Sequence, residues 1–204
     1  MNILIACEES QIECLAFRAR GHNCFSCDIQ DTSGSHPEWH IKCDVLKVLN
    51  PLEGFISFHT CDNELHIIPK WDLIIAHPPC TYLAKSGARW LFPCGCLDSA
   101  RFELGKRARE FFMALYNADC EKICIENPVP IEIFGLPTES QHIQPFYFGE
   151  PFSKLTYLWL KGLPPLMATL IVYDYKSYVF SHSSSKLRSK SFLGIAQAMA
   201  EQWG

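Results

Sequence analysis

"WDLIIAHPPCTYLAKSG", Trp71 to Gly87, decides how the rest of the chain is read. Leu73 to Ala76 is an unbroken apolar run with no polar alternation, the pattern of a strand covered on both faces. It stops at His77, Pro78 and Pro79, after which Cys80 opens a loop of small and polar residues closed by Gly87. Two prolines fix the backbone and give up two amide donors, so the loop leaves the strand on a steered path.

Outward from that strand the same grammar repeats. "NILIAC" (Asn2 to Cys7) is a second short apolar run, followed by the polar turn "EESQ". Ile12, Leu15, Ala16 and Ala19 then fall at near-helical spacing, which predicts a helix ending at Gly21. "CFSCDIQ" reads as a strand ending at Asp28 and "WHIKCDVL" as another ending near Asp44. Residues 54–68, "GFISFHTCDNELHII", alternate around a polar centre and predict an inserted hairpin. Phe102, Ala108, Phe111, Phe112 and Leu115 mark one stripe of a long helix from Asp98 to about Asn117. "KICIENPVP" is a strand cut off by Pro128 and Pro130. "KLTYLWL" is a further strand, and "FLGIAQAMAEQW" has helical composition.

Strands alternating with helices predict an α/β fold, a mostly parallel sheet with helices on both faces. At 204 residues the chain suits one domain with a full core. In such sheets the ligand crevice lies beyond the carboxyl ends of the strands. Glu8, Asp28, Asp44, Cys80 and Glu126 all sit at or just past those ends and are expected on one rim.

Composition narrows the classes. With 48% hydrophobic and 20% charged residues the chain is not a disordered one. No apolar run approaches the roughly 18 to 20 residues that span a bilayer, and the first residues lack the features of a secretion signal. A cytoplasmic protein without membrane contact is expected. Eleven cysteines, an odd number, then predict reduced thiols rather than a disulfide framework. A formal charge of -4 does not advertise nucleic-acid binding, although a local basic patch could serve it. Cys24 with Cys27, Cys94 with Cys96, and His36, His40 and Cys43 have zinc-like spacings. The first pair lies on a strand whose neighbours face opposite ways, and no metal is expected.

A thiol is a nucleophile where it is partly exposed and positive potential favours its thiolate; in apolar packing it is inert. Cys80 fits either description on its own stretch. Glu126, at the end of an adjacent buried strand, is expected to be desolvated, with a raised pKa that lets it hold a proton near neutral pH. The two would make a nucleophile and general-acid pair; a capping or turn carboxylate is the alternative for Glu126. His77 is read as a packing or orienting residue. Trp90 is expected to pack the loop after Cys80, or to stack on a base.

These residues carry a resemblance. "PPCTYLAKSG" resembles the catalytic loop of the DNA cytosine-5 methyltransferases, "IENPV" their Glu-Asn-Val segment, and "FGEPFSKLTYLWL" their Gln-x-Arg-x-Arg strand. "SFLGIAQAMA" is similar to the segment that returns to the cofactor site. The opening "ILIACEES" and the block "IQPFYFG" resemble the short phage- and prophage-encoded members of that family, and the likeness runs in order from Asn2 to Trp203.

The resemblance implies a Rossmann-like domain that moves a methyl group from S-adenosylmethionine to C5 of cytosine in DNA. In the family a cysteine thiolate adds to C6 while a glutamic acid supports N3. Carried over, Cys80 is the nucleophile and Glu126 the N3 partner, with Lys154 and Thr156 in the same catalytic pocket. The cofactor is expected against Ala6, Cys7, Glu8, Glu9 and Ser10 in the first turn, with Asp28 and Ile29 at the ribose and Asp44 and Val45 at the adenine. Pro78 and, in the closing segment, Ile195 and Ala196 complete that set.

Four departures accompany the likeness. The first turn has no glycine. Phe152, Lys154 and Thr156 stand at the Gln-x-Arg-x-Arg positions, and lysine lacks the planar fork of arginine. Ile195 replaces an asparagine. Residues 163–191 replace a whole target-recognition domain, too short a stretch to present several side chains to a major groove. The implied partner is therefore DNA read with little sequence preference, single-stranded DNA or a cytosine nucleotide, or DNA together with a protein that supplies recognition. Lys186, Arg188 and Lys190 are candidate phosphate contacts. A member that binds S-adenosylmethionine or DNA without catalysis is the alternative function.

Overall fold

A computed structural model describes residues 1–178 and 190–204. Seven strands form the central sheet: β1 (Asn2–Ala6), β2 (Asn23–Asp28), β3 (His40–Lys42), β6 (Leu73–Ala76), β7 (Ile123–Pro128), β8 (Gln141–Ile143) and β10 (Thr156–Lys161). Their order across the sheet is β3-β2-β1-β6-β7-β10-β8. The five strands from β3 to β7 are parallel, and β10 runs antiparallel between β7 and β8. The expected hairpin is present as β4 (Ile56–His59) paired antiparallel with β5 (Leu65–Ile68). A short parallel pair joins β9 (Phe152–Ser153) to β11 (Lys176–Ser177).

The central strands are apolar on both faces because both are covered. Leu4, Ala6, Ile74, Ala76, Ile123 and Ile125 point into one core; Ile3, Ile5, Leu73, Ile75 and Cys124 point into the other. Cys24 and Cys27 divide the same way, so the two thiols of that zinc-like pair lie on opposite sides of the sheet. The first core is closed by the hairpin and by α3 (Ser99–Tyr116), reached after a one-turn helix α2 (Ala88–Leu91). The second is closed by α1 (Ile12–Ala19) packed on α4 (Leu193–Trp203).

Helix ends follow the local chemistry. Asp98 accepts from the Arg101 amide at 2.7 Å and starts α3. Gly21, at a left-handed φ of 83°, ends α1 where predicted. The face of α1 differs from expectation: Glu13, Cys14 and Phe17 are buried, whereas Ile12, Leu15 and Ala16 are only partly covered and Ala19 is exposed. A glutamate takes a core position there because its partner lies in the site below.

Strand order reverses between β1 and β6, and a ligand crevice is expected beyond the carboxyl ends at such a switch point. The backbone already brings the rim together. The Glu8 amide donates to Cys27 O at 3.1 Å, and the His77 amide to Ala6 O at 2.9 Å. No helix among the described residues is long and apolar enough to cross a membrane.

Candidate active site

At the switch point an open cleft of about 420 Å³ is lined by Cys7, Glu8, Glu9, Ser10, Asp28 and Gln30 on one side, and by His77, Pro79, Cys80 and Thr81 on the other, with Lys190 and Ser191 across it. A narrow crevice of about 20 Å³ adjoins it, lined among others by Glu13, His77, Glu126, Lys154, Thr156 and Ile195. That is room for about one water molecule. His77, Lys190 and Ser191 are common to both.

The first turn makes its approach without glycine. Cys7 (φ 61°) and Gln11 (φ 62°) both adopt the left-handed conformation that glycine normally supplies. Gln11 is held there by its side chain, which donates to His36 O at 2.8 Å and accepts from the His36 amide at 3.2 Å. Glu8 turns back into the protein and accepts from the amides of Glu13 at 2.8 Å and Cys14 at 3.4 Å, capping α1. Burial, and then the nearby Glu13 carboxylate, push Glu8 up to about 8. Glu9 O and Oε2 accept from Ser33, which closes the neighbouring loop onto the turn. Burial, then Asp28 and Asp44, push the Cys7 thiol up to about 12.

Cys80 is exposed, and its carbonyl accepts from the amides of Leu83 and Ala84 at 3.1 and 2.8 Å. The loop beyond is stitched to the end of β7 by the Lys85 amide to Val129 O and the Ile131 amide to Leu83 O, both 2.7 Å. Thiol and carboxylate are thus carried on one tied unit. Partial burial of the sulfur and the Glu126 charge raise the Cys80 pKa; Lys154 opposes them without reversing the shift. At rest the residue is a thiol.

Glu126 corrects an expectation. Burial does raise its pKa, but the hydrogen bond from His77, the Lys154 charge, the His77 charge and the Thr156 hydroxyl outweigh it and bring it down to about 2. The resting group is a carboxylate. β7 and β10 explain the neighbours: Glu126 opposes Leu158 and Pro128 opposes Thr156, so Glu126 and Thr156 share one face of the sheet.

His77 bridges the site. Its Nε2 lies 2.8 Å from Glu13 Oε2 and its Nδ1 3.3 Å from Glu126 Oε2. Side-chain exposures are 1% for Glu13, 13% for His77 and 21% for Glu126. Burial alone would lower the imidazole pKa, but the Glu13 charge, followed by the Glu126 contact, holds it well above the usual histidine range.

Of the residues expected to meet the cofactor, Cys7, Glu8, Glu9, Ser10 and Asp28 line the cleft. Ala6, Val45 and Ala196 do not: all three are buried in the cores. Pro78 is buried and Pro79 takes its place at the cleft. Asp44 is exposed, outside the lining, with its carboxylate accepting from the Leu46 amide at 3.0 Å. Ile29 points to solvent, 73% exposed, and Gln30 lines the wall instead. Ile195 lines the crevice beside Glu126 rather than the cleft. Trp90, expected to pack the loop, is 59% exposed; Leu91 is buried in its stead. Lys190 donates to Ser33 Oγ at 3.1 Å; Lys186 and Arg188 lie outside the described residues. Among the described residues no group of three or more His, Cys, Asp or Glu is arranged to hold a metal ion.

Sequence reasoning missed Glu13 and the bridging geometry of His77. The available signals were a carboxylate at a core position of a short helix and a histidine directly after a buried strand. No protein-family model matches this chain, and no curated protein matches it.

Proposed function

We propose that this protein is an S-adenosylmethionine-dependent methyltransferase with a Rossmann-like fold, acting on C5 of cytosine in DNA through a Cys80 adduct. One observation carries the reading. An exposed thiol and an ionised carboxylate stand on the ends of neighbouring parallel strands, tied by the loop after Cys80 and both within the field of Lys154.

The cleft fits the cofactor. It sits at the switch point, has a volume within the range of small-molecule sites, and is lined by the Glu9 and Asp28 carboxylates, suited to a cationic nucleoside. Asp28 would hold the ribose hydroxyls, while Glu9, Ser10 and Lys190 would take the charged amino-acid end. The bound cofactor supplies an electrophilic methyl group on a sulfonium.

The chain's own residues do the rest. Cytosine C5 is a weak nucleophile until a group adds to C6. Cys80 sheds its proton at the open mouth of the cleft, and the Lys154 ammonium stabilises the thiolate that remains. Glu126 faces N3 and the exocyclic amine from the crevice. To bring a base there, the Lys190–Ile195 segment has to part from Glu126, because the crevice holds little more than a water. A flipped base costs a few kcal/mol in a duplex and less in a single strand. The exposed Trp90, with the Arg89 guanidinium 4.9 Å from its ring centre, lies in a stretch without acid from 78 to 97 and favours unstacked bases.

The test is transfer of labelled methyl from S-adenosylmethionine to duplex DNA, single-stranded DNA and dCMP in parallel. Label in DNA, strongest in the single strand and abolished by Cys80→Ser, supports the reading. No label in any arm, with cofactor binding intact, replaces it with a binding role.

A further inference from the structure

His77 leaves β6 into a polar cluster that offers its ring an acceptor at each nitrogen. A neutral imidazole has one N–H, so one carboxylate would face a lone pair; an imidazolium donates to both. With Glu13 Oε2 at 2.8 Å and Glu126 Oε2 at 3.3 Å, the geometry selects the imidazolium. The chain of three has a sealed end and a working end. Glu13 is enclosed under α1, whereas Glu126 opens into the crevice.

We propose that Glu13 and His77 form a buried proton store for Glu126, supplying the proton that pyrimidine N3 takes up when Cys80 adds to C6. This deepens the cytosine reading and rests on it. A carboxylate that is ionised at rest cannot donate by itself. As the Sγ–C6 bond forms, the C5=C6 pair moves to C4–C5 and the C4=N3 pair moves to N3. The His77 Nδ1 proton passes to Glu126, which hands it to N3; the thiol proton of Cys80 has already left to water. His77 keeps its Nε2–H on Glu13. As the C4=C5 pair takes up the methyl group, the N3 pair re-forms C4=N3; water then removes the C5 proton, and the C5–H pair re-forms C5=C6 as Sγ leaves C6 with its bonding pair. N3 returns its proton through Glu126 to His77, and the thiolate takes a proton from water. One turnover thus releases one proton to solvent.

Every charged group facing this chain bears on its proton. Glu8 approaches Glu13 from the first turn, and Glu9 and Asp28 lie along the adjoining cleft. Cys80 stands beside the mouth, Lys154 acts on Glu126 from before β10, and Lys190 lines both cavities before α4. Lys154 favours the ionised Glu126. Glu13 is the charge that keeps the proton on His77, so it is a positioning residue.

The experiment follows methyl transfer to single-stranded DNA from pH 6 to 10, in wild type and Glu13→Gln, with the His77 imidazole titrated by NMR in both full-length proteins. The store predicts a protonated His77 at pH 7.5 in wild type. In Glu13→Gln the alkaline limb of the rate moves down by about one pH unit, a tenfold loss on that limb, together with the imidazole titration. An active wild type whose variant keeps the same alkaline limb overturns the store alone. A neutral wild-type His77 at pH 7.5 overturns it too, even if Glu13→Gln does not fold. Absence of transfer at every pH in wild type overturns the cytosine reading, and the proton's destination with it.

Discussion

The Lys85 amide donates to the Val129 carbonyl across 2.7 Å, and two residues either way the Ile131 amide returns to Leu83 O at the same distance. These bonds join the loop after Cys80 to the segment after Glu126, so the placement of a nucleophile depends on backbone pairing between two loops rather than on the sheet alone. Ile131 has φ of -82°, close to what a proline ring imposes, so Ile131→Pro removes the donor without forcing the chain. Leu83 is buried, and its carbonyl would lose its partner. The expected cost is about 1–3 kcal/mol in urea unfolding. Methyl transfer should fall at least tenfold while cofactor Kd stays put, and Ile131→Val should do neither. A stability loss without a rate loss would show that the stitch does not position Cys80.

Lys154 lowers both the Cys80 and the Glu126 pKa. Lys154→Met removes a stabilising charge acting on the thiolate, and the thiol should become harder to ionise. Below its pKa, a rise of one unit means a tenfold smaller thiolate fraction. Alkylation of Cys80 by iodoacetamide at pH 8 is expected to slow about three- to tenfold. Cys61, Cys94 and Cys96 are also exposed, so the rate has to be followed on the Cys80 peptide by mass spectrometry. Unchanged Cys80 alkylation would remove Lys154 from the nucleophile's activation.

Glu8 makes stability depend on pH in the opposite sense from most carboxylates. Its folded pKa is raised from 4.5 to about 8, by burial first and by Glu13 second. The folded protein therefore holds a proton that the unfolded chain gives up. Stability from this group is fully present below about pH 4.5 and is lost as pH rises through about 8. Glu8→Gln keeps an oxygen for the Glu13 amide and cannot ionise. Between pH 6 and pH 9 the wild-type Tm should fall several degrees further than that of the variant. Parallel declines in scanning calorimetry would mean that Glu8 is ionised in the fold at neutral pH.

The strands and their rim were legible because each apolar run is short and ends in a polar or proline break, as at Ala76–His77 and Asn127–Pro128. The face of α1 was not. Eight residues carry apolar side chains all round, and the buried face includes Glu13, whose partner His77 comes 64 positions later. The protonation of Glu126 was illegible for the same reason: burial, a local property, is outweighed by His77, Lys154 and Thr156 from two other parts of the chain. Asp44 looks like Asp28 in sequence, and each accepts from an amide two residues on, yet only Asp28 lines the cleft. Neighbours in sequence also mislead at the ligand's edge. Pro78 is buried and Pro79 exposed at the cleft, while of the two buried residues Ile195 and Ala196 only Ile195 lines the crevice.

Gly34 tests the cleft wall. A Cβ there would lie 2.2 Å from Gln11 Oε1, the far end of a side chain that the His36 backbone clamps through both of its polar atoms. Replacing a glycine commonly gains about 0.4–1 kcal/mol by restricting the unfolded chain. Here Gln11 has to leave its site, and each buried partner left unpaired costs about 1–3 kcal/mol. The loss wins, so Gly34→Ala should be destabilised. The same segment carries Thr32 and Ser33, which bond Glu9, so the wall that includes Asp28 and Gln30 should loosen. S-adenosylmethionine Kd, read by calorimetric titration, is expected to rise severalfold. In Gln11→Ala the obstacle is already gone, and adding Gly34→Ala should then cost little. If the two losses simply add, the clash is not the cause.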